Sequence, residues 1–251
     1  MTNRPISVVR TGPLVIGTGI AGLSTALALD GTTLMTSGEF ASGSSDLAQG
    51  GIAAAIGNED GPDIHTEDTI RVAGGIADRR VASIVANAAA DLIDWLADLG
   101  TDFDRSTDDR IALGREAGHS VRRIVHAGGD GTGAEVMRAL RSQAAVRADI
   151  DLVEHHHLID LIREGDRIVG AVAEDDGGDL VAFLSPAVVL ATGGLGRLYA
   201  KTTNPPEVVA AGLAAAARSG ARLADLEFVQ FHPTSLAGEI DPLPLLTEAL
   251  R

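Results

Sequence analysis

The sequence predicts an α/β fold, a Rossmann-like domain with an inserted β-meander, and three observations predict it. An apolar strand runs into a glycine turn at Val15-Ile16-Gly17-Thr18-Gly19-Ile20-Ala21-Gly22. From Asp151 to Leu190 the pattern changes to short strands separated by turns. A second apolar strand then meets glycines at Leu190-Ala191-Thr192-Gly193-Gly194.

The first strand is expected over residues 13–16 and the first helix over 20–29, where apolar residues recur at helical spacing. Asp30-Gly31 makes a turn, and residues 32–36 read as the second strand of a βαβ opening. Residues 37–61 are rich in Gly, Ala and Ser and show little period. A loop of that length suits close approach of backbone to a large ligand. Val81, Ile84, Val85, Ala88, Leu92, Trp95, Leu96 and Leu99 form a helical stripe that Gly100 stops, and Trp95 reads as core on it. Thr132-Gly133-Ala134-Glu135 has capping-box form and starts a helix towards Arg141. Strands are expected over 151–154, 158–163, 167–174, 180–183 and 187–190, with hairpin-type turns at Gly165-Asp166 and Gly177-Gly178. Helical pattern returns over about 207–218. One domain over residues 1–235 fits, with residues 236–251 beginning something else.

Composition narrows the function. The chain has 251 residues, no cysteine and a formal charge of −15. Without cysteine there is no disulfide framework, thiolate metal site or cysteine nucleophile, which fits a cytoplasmic protein. The negative charge argues against nucleic acid and anionic membranes as partners. Neither a signal peptide nor a bilayer-spanning run is expected. His155-His156-His157 reads as exposed strand histidines rather than a metal site, because neighbours on a strand point to opposite faces. No metal is expected. Arg115, His119, Arg122, Arg123 and His126 make a basic stretch whose plain reading is a solvated, ion-paired segment.

The glycine turn carries chemistry. Gly17 permits the tight turn, Gly19 lets backbone approach a pyrophosphate at the helix N-terminus, and Gly22 lets helix and strand pack closely. The acidic residue expected some twenty positions on is replaced by Ser37, with Glu39 two residues later. Glu39 reads equally as a ribose contact or a solvated turn residue.

Five segments in a fixed order resemble the flavoprotein family of succinate dehydrogenase, fumarate reductase and L-aspartate oxidase, in its aspartate oxidase form. They are the glycine turn, Ala48-Gln49-Gly50-Gly51-Ile52-Ala53, Arg115-Glu116-Ala117-Gly118-His119-Ser120, Leu190-Ala191-Thr192-Gly193-Gly194, and Leu226-Glu227-Phe228-Val229-Gln230-Phe231-His232-Pro233-Thr234. The resemblance implies an FAD-binding domain followed by the start of a capping domain. It also implies oxidation of L-aspartate to iminoaspartate by hydride transfer to flavin, with reoxidation by oxygen or fumarate, in NAD biosynthesis beside quinolinate synthase. Members with covalent flavin carry a histidine five residues before the glutamine-or-glutamate-Gly-Gly motif. Ser44 stands there, so FAD is expected to be non-covalent. The implied cofactor residues are Gly17, Thr18, Gly19, Ile20, Ala21, Gly22, Ser37, Ser44, Ser45, Ala48, Gln49, Gly50, Gly51, Thr192 and Gly193.

For the substrate, the resemblance implies Glu116 at the ammonium group and Gln230, His232 and Thr247 at a carboxylate, with Glu248 in support. A carboxylate at Glu116 repels a dicarboxylate that lacks an amino group. Outside the family setting, Glu116 reads as a surface glutamate paired with Arg115. The family's catalytic arginine falls beyond Arg251, so no catalytic residue is expected here and the chain reads as a fragment or degenerate paralogue. Ala210-Ala211-Gly212 stands where the family has glycine-aspartate-glycine, its aspartate touching flavin. A soluble fumarate reductase or succinate dehydrogenase flavoprotein, and an inactive nucleotide-binding remnant, are the alternatives.

Overall fold

The computed structural model describes residues 6–40, 42–232, 234–236 and 238–246. Along the chain these form β1 (Ile6–Arg10), β2 (Leu14–Ile16), α1 (Ile20–Ala28), β3 (Thr32–Met35), β4 (Ile52–Ala53), α2 (Pro62–Ala73) and α3 (Arg79–Asp98). There follow β5 (Leu113–Gly114), β6 (Ile124–Val125), α4 (Thr132–Ala145), β7 (Ile150–Val153) and β8 (His156–Glu164). The last elements are β9 (Arg167–Asp175), β10 (Leu180–Leu184), β11 (Val188–Leu190) and α5 (Ala211–Arg218). Contacts gather the chain into two units, Met1–Asp46 with Leu140–Arg251, and Leu47–Ala139.

In the first unit, a parallel sheet of order β11-β2-β3-β7 is the Rossmann-like half. Leu14, Ile16 and Met35 line one face of it, while Val15 and Leu34 are buried on the other. Burial on both faces explains the uniformly apolar run of β2. A second sheet, order β1-β10-β9-β8, is the meander, antiparallel but for the β1–β10 pair. Its Ala171, Ala173 and Phe183 pack on Leu14, Ile16 and Met35. The alanines lie two residues apart on one face of β9, and Phe183 fills the space their small side chains leave.

The α1–β3 turn is held by a clamp that hydrophobic pattern does not announce. Arg147 donates to the carbonyls of Leu27 and Leu29 at 3.2 and 3.1 Å, and so caps the C-terminal end of α1. Asp149 pairs with Arg147 and accepts the Gly31 N–H.

The expected strands are present, but 151–154 and 187–190 belong to the parallel sheet as β7 and β11 rather than to the meander. β1 precedes the strand expected first. Its residues are all exposed, so no alternation marks it. α5 begins at Ala211 rather than near 207, because turns at Val208 and Val209 come first and Ala210 holds φ of 63°. His155 also has positive φ (55°) and stands outside β8, sharing Asp176 with His157. His156 is half-buried, edge-on to Phe183, a correction to the reading of three exposed strand histidines.

In the second unit, α2 and α3 pack together beside a small antiparallel sheet of order β4-β6-β5. The sequence reading has no α2, and the reason is physical. The face that α2 buries is His65, Thr66 and Asp68, a polar face that hydrophobic periodicity cannot see. For α3 the helix is right but the face is offset. Ala86, Ala89, Ile93 and Leu96 are buried, whereas Val81, Ile84, Val85 and Leu92 are exposed and Trp95 is half-buried. The capping box expected at α4 is replaced by other bonds. Thr132 Oγ1 accepts the Ala127 N–H, and the Glu135 carboxylate accepts from Asp102 N–H and Arg138.

Replacing Arg147 tests the clamp on α1. Arg147→Met is expected to lower stability, because the last carbonyls of α1 lose their donor and Asp149 its partner. Urea unfolding should show a lower midpoint at an unchanged slope.

Candidate functional site

The glycine turn of the first unit has the geometry its spacing predicts. A β-carbon on Gly22 would lie 1.8 Å from the Gly17 carbonyl oxygen, and one on Gly17 (φ 114°) would lie 2.2 Å from that of Ala191. Neither position accepts a side chain, so β2, α1 and the segment after β11 are in direct backbone contact. Thr18 is buried, and Gly19 is the N-cap of α1. No acidic residue stands in the first turn of α1. Its amide end is therefore open to an anion, with the Ile20 N–H bonded to Ser45 Oγ at 3.1 Å and Ala21 exposed. This cradle fits a dinucleotide pyrophosphate.

Ser37 is half-buried just beyond β3, while Glu39 is exposed. Ser44 donates to Asn204 Oδ1 at 3.1 Å. Thr192 is half-buried, and its Oγ1 would be 2.2 Å from a β-carbon on Gly212, which fixes glycine there. Gly193, at φ 72°, has open space where a side chain would stand. Ala210 keeps a left-handed backbone without being glycine, at a cost of about 1–2 kcal/mol.

A pocket of about 210 Å³ in the same unit includes Tyr199, Lys201, Asn204, Gln230, Phe231 and His232. Gln230 and His232 are thus brought together, as the spacing of their segment implies. The Thr234 N–H donates to His232 Nδ1 at 3.2 Å. Nδ1 is the acceptor, so the neutral ring carries its proton on Nε2 as a donor. Residues 238–246 return to this pocket, since Leu243 N–H donates to the Thr202 carbonyl and Arg197 pairs with Asp241. Thr247 and Glu248, with Pro233 and Arg251, lie outside the described residues.

In the second unit, the two glycines of the Ala48-Gln49-Gly50-Gly51 motif differ in kind. Gly50 has open space around its absent β-carbon, as a position approached by a ligand requires. A β-carbon on Gly51 would instead lie 2.4 Å from Ile124 Cγ2 and 2.5 Å from the Val125 carbonyl oxygen, so packing against β6 alone demands glycine there. The Ala48 carbonyl accepts the Gly133 N–H, and Gln49 is half-buried.

Glu116 sits on an irregular turn whose position is set from below by buried charge. Arg123 is fully buried and makes two 2.9 Å bonds to Asp60 and one to Asp68. Asp68 also accepts the Ser120 N–H and hydroxyl, both at 2.8 Å, and pairs with Arg71. Arg71 in turn donates to the Gly118 carbonyl. Burial works to raise the Asp68 pKa, but the Ser120 donors and the two guanidiniums outweigh it and hold the group at about 2. Arg123 is therefore an internal strut rather than part of a surface basic patch. Glu116 has not Arg115 but His126 Nε2 within ion-pair range, at 3.6 Å, while Arg115 Nε donates to the His119 carbonyl. His65, buried against the His119 ring with its Nδ1 unbonded, has its pKa lowered by burial, then by Arg123 and His119.

The profile of the FAD binding domain family matches residues 13–251. An L-aspartate oxidase of Mesorhizobium japonicum is 47% identical over 95% of this chain and 47% of that protein. One of Streptomyces coelicolor is 41% identical over 95% of this chain and 43% of that protein. Among solved structures, the Mycobacterium smegmatis Sdh1 complex in its apo form superposes with a TM-score of 0.88 at 31% identity, covering 98% of this chain and 45% of that one. The FrdA chain of E. coli quinol fumarate reductase gives a TM-score of 0.88 at 28% identity, over 93% and 41%. The chain spans a little under half the length of the curated relatives it matches.

The buried network makes two acid-sensitive windows. Unfolded His65 takes its proton near 6.5 and folded His65 only at lower pH, so stability is present above that value and declines as pH falls below it. Asp68 contributes stability above 3.8 that is lost as pH falls towards 2. Denaturation at a series of pH values should show both declines, with His65→Gln removing the upper and Asp68→Asn the lower. Arg123→Met leaves the buried Asp60 carboxylate without its guanidinium and Asp68 with only Arg71 and Ser120, and should cost about 3–5 kcal/mol at neutral pH.

Proposed function

The chain belongs to the FAD binding domain family, and from that premise we propose that it supplies the flavin-binding portion of an FAD-dependent L-aspartate oxidase. The single observation that carries the substrate class is the pocket of the first unit, where Gln230, His232 and Lys201 bring hydrogen-bond donors that suit a carboxylate. In the second unit, taken by itself, Glu116 is an exposed carboxylate, a group that suits an ammonium.

The residues present fit FAD. The amide end of α1 with Gly19, Ser45 and Thr18 would hold the pyrophosphate, and Ser37, half-buried just beyond β3, is the ribose contact on this reading. Gly50 and Gly193 leave open space for close approach. Ser44, bonded to Asn204, stands where a covalent flavin link would need histidine, so binding is non-covalent on this reading. FAD, when bound, supplies the two-electron acceptor for the substrate Cα–H. The chain's own residues orient the substrate. Nε2 of His232 donates to a carboxylate, and its direction is kept by the Thr234 N–H on Nδ1. Gln230 adds a second donor, and Glu116 takes the ammonium. Thr247 and Glu248 extend the carboxylate-binding segment, and residues 236–251 begin a capping domain, on the same reading. Iminoaspartate is then passed on towards NAD in the cytoplasm, with quinolinate synthase the neighbour. A cysteine-free composition, and no helix among the described residues long and apolar enough to cross a membrane, accord with that location. The succinate dehydrogenase and fumarate reductase reading has support in the solved structures above, and Glu116 speaks against it.

The decisive experiment joins this chain to the C-terminal half of the Mesorhizobium japonicum relative and purifies the product with FAD. L-Aspartate should generate peroxide and succinate should not. Peroxide from neither substrate, with flavin bound, would refute the oxidase reading. Glu116→Gln should lower kcat/KM for aspartate by about 10–100-fold, the scale of one charge-assisted contact. Ala211→Asp, which returns a carboxylate to the first turn of α5, should tighten FAD binding about tenfold in a fluorescence titration.

A further inference from the structure

We propose that His126 is the proton acceptor through which Glu116 takes up the substrate's ammonium and presents it as a neutral amine. The inference rests on the reading of Glu116 given above and assigns a role to a second residue. Removal of hydride from Cα needs the nitrogen lone pair, which an ammonium lacks, so one proton must leave first. The Glu116 carboxylate can bind the ammonium, and a neutral imidazole beside it offers a ring nitrogen that can accept the proton.

The geometry places one there. The His126 ring lies in a slot between two glycines. A β-carbon on Gly51 would stand 3.0 Å from its Cδ2, and one on Gly114 would stand 2.9 Å from its Cε1. Held by these two backbones, the ring directs Nε2 at Glu116 Oε1, 3.6 Å away. That distance is within ion-pair range and just beyond hydrogen-bond length, so a small movement of the turn closes it. The ring is 28% exposed and Glu116 is 41% exposed, so the pair is open on the Glu116 side. Gly51 and Gly114 themselves bring no charge to the slot. Asp104, whose N–H donates to the His126 carbonyl, spends its own carboxylate on the Gly128 and Gly129 N–H groups. Arg115 Nε is bonded to the His119 carbonyl, and Arg123 to Asp60 and Asp68. The turn itself is pinned by Asp68 and Arg71.

The step is a proton transfer only. One N–H bond of the substrate ammonium breaks and its electron pair stays on nitrogen. The proton passes over the Glu116 carboxylate to neutral His126, where an Nε2–H bond forms. Nothing is oxidised or reduced. The positive charge moves from substrate to imidazolium and remains beside the Glu116 carboxylate.

Two measurements test this. In the 251-residue chain at fixed pH, the Nε2 signal of His126 should move in Glu116→Gln, because the carboxylate facing that nitrogen is lost. An unmoved signal would show that the pair does not form, and would overturn the proposal. In the joined protein, His126→Gln, which keeps a polar side chain but takes no proton, should lower kcat for L-aspartate by about 100-fold. KM should move much less, and the acid limb of the kcat profile should disappear. His126→Gly opens the slot, and added imidazole should restore turnover with the pH dependence of imidazole itself. A His126→Gln protein that keeps both kcat and the acid limb would overturn the proposal. A structural role would lower kcat evenly across pH and would not respond to imidazole. The nitrogen signal needs no turnover, so a joined protein inert towards aspartate counts against the oxidase reading while the His126–Glu116 pair is still judged by that signal.

Discussion

The absence of two β-carbons at the crossing of β2 and α1 is the constraint on which the first unit depends. With a β-carbon position 1.8 Å from the Gly17 carbonyl oxygen, Gly22 admits no substituent, and Gly17 meets Ala191 almost as closely. The contact fixes three elements at one point, α1, β2 and the turn after β11. It also settles where the amide end of α1 points. At the far end of the same helix, Arg147 holds the last carbonyls. α1 is thus located by sterics at one end and by charge at the other, while Leu14, Ile16 and Met35 attach the parallel sheet to the meander.

The second unit solves the same problem differently. Its turn at Glu116 lacks regular structure and buries little apolar surface, so packing alone cannot place it. A buried guanidinium with two carboxylates does so. Such groups are expensive to take out of water, and they hold together only because nearly every donor and acceptor is met. A network of this kind adds little net stability compared with an apolar core of equal volume. Its value is directional, since Asp68 specifies where the Ser120 amide lies.

Legibility followed the physics of each element. Strands and helices with apolar faces could be read from spacing, and β8 to β10 fell within a few residues of expectation. α2 could not, because it buries His65, Thr66 and Asp68. The face of α3 was displaced because alanines, which carry little hydrophobic signal, make its contacts while larger residues stay outside. At the site, the glycines were legible as a set but not their division of labour. Gly50 and Gly51 look alike in sequence, and only the three-dimensional neighbours separate the open position from the packed one. His126 was visible but without a role, since the glycine slot that aims it comes from residues 51 and 114.

The placement of two aromatic residues has a practical consequence. The chain has one tryptophan and one tyrosine. Trp95 is half-buried on α3, inside Leu47–Ala139, whereas Tyr199 belongs to the other unit, edge-on to Phe231 at 5.6 Å. Each unit therefore carries its own optical reporter. Indole emission follows one and phenol absorption the other, without any label. If the two signals change together during unfolding, the units melt as one cooperative body; if they separate, each has its own transition.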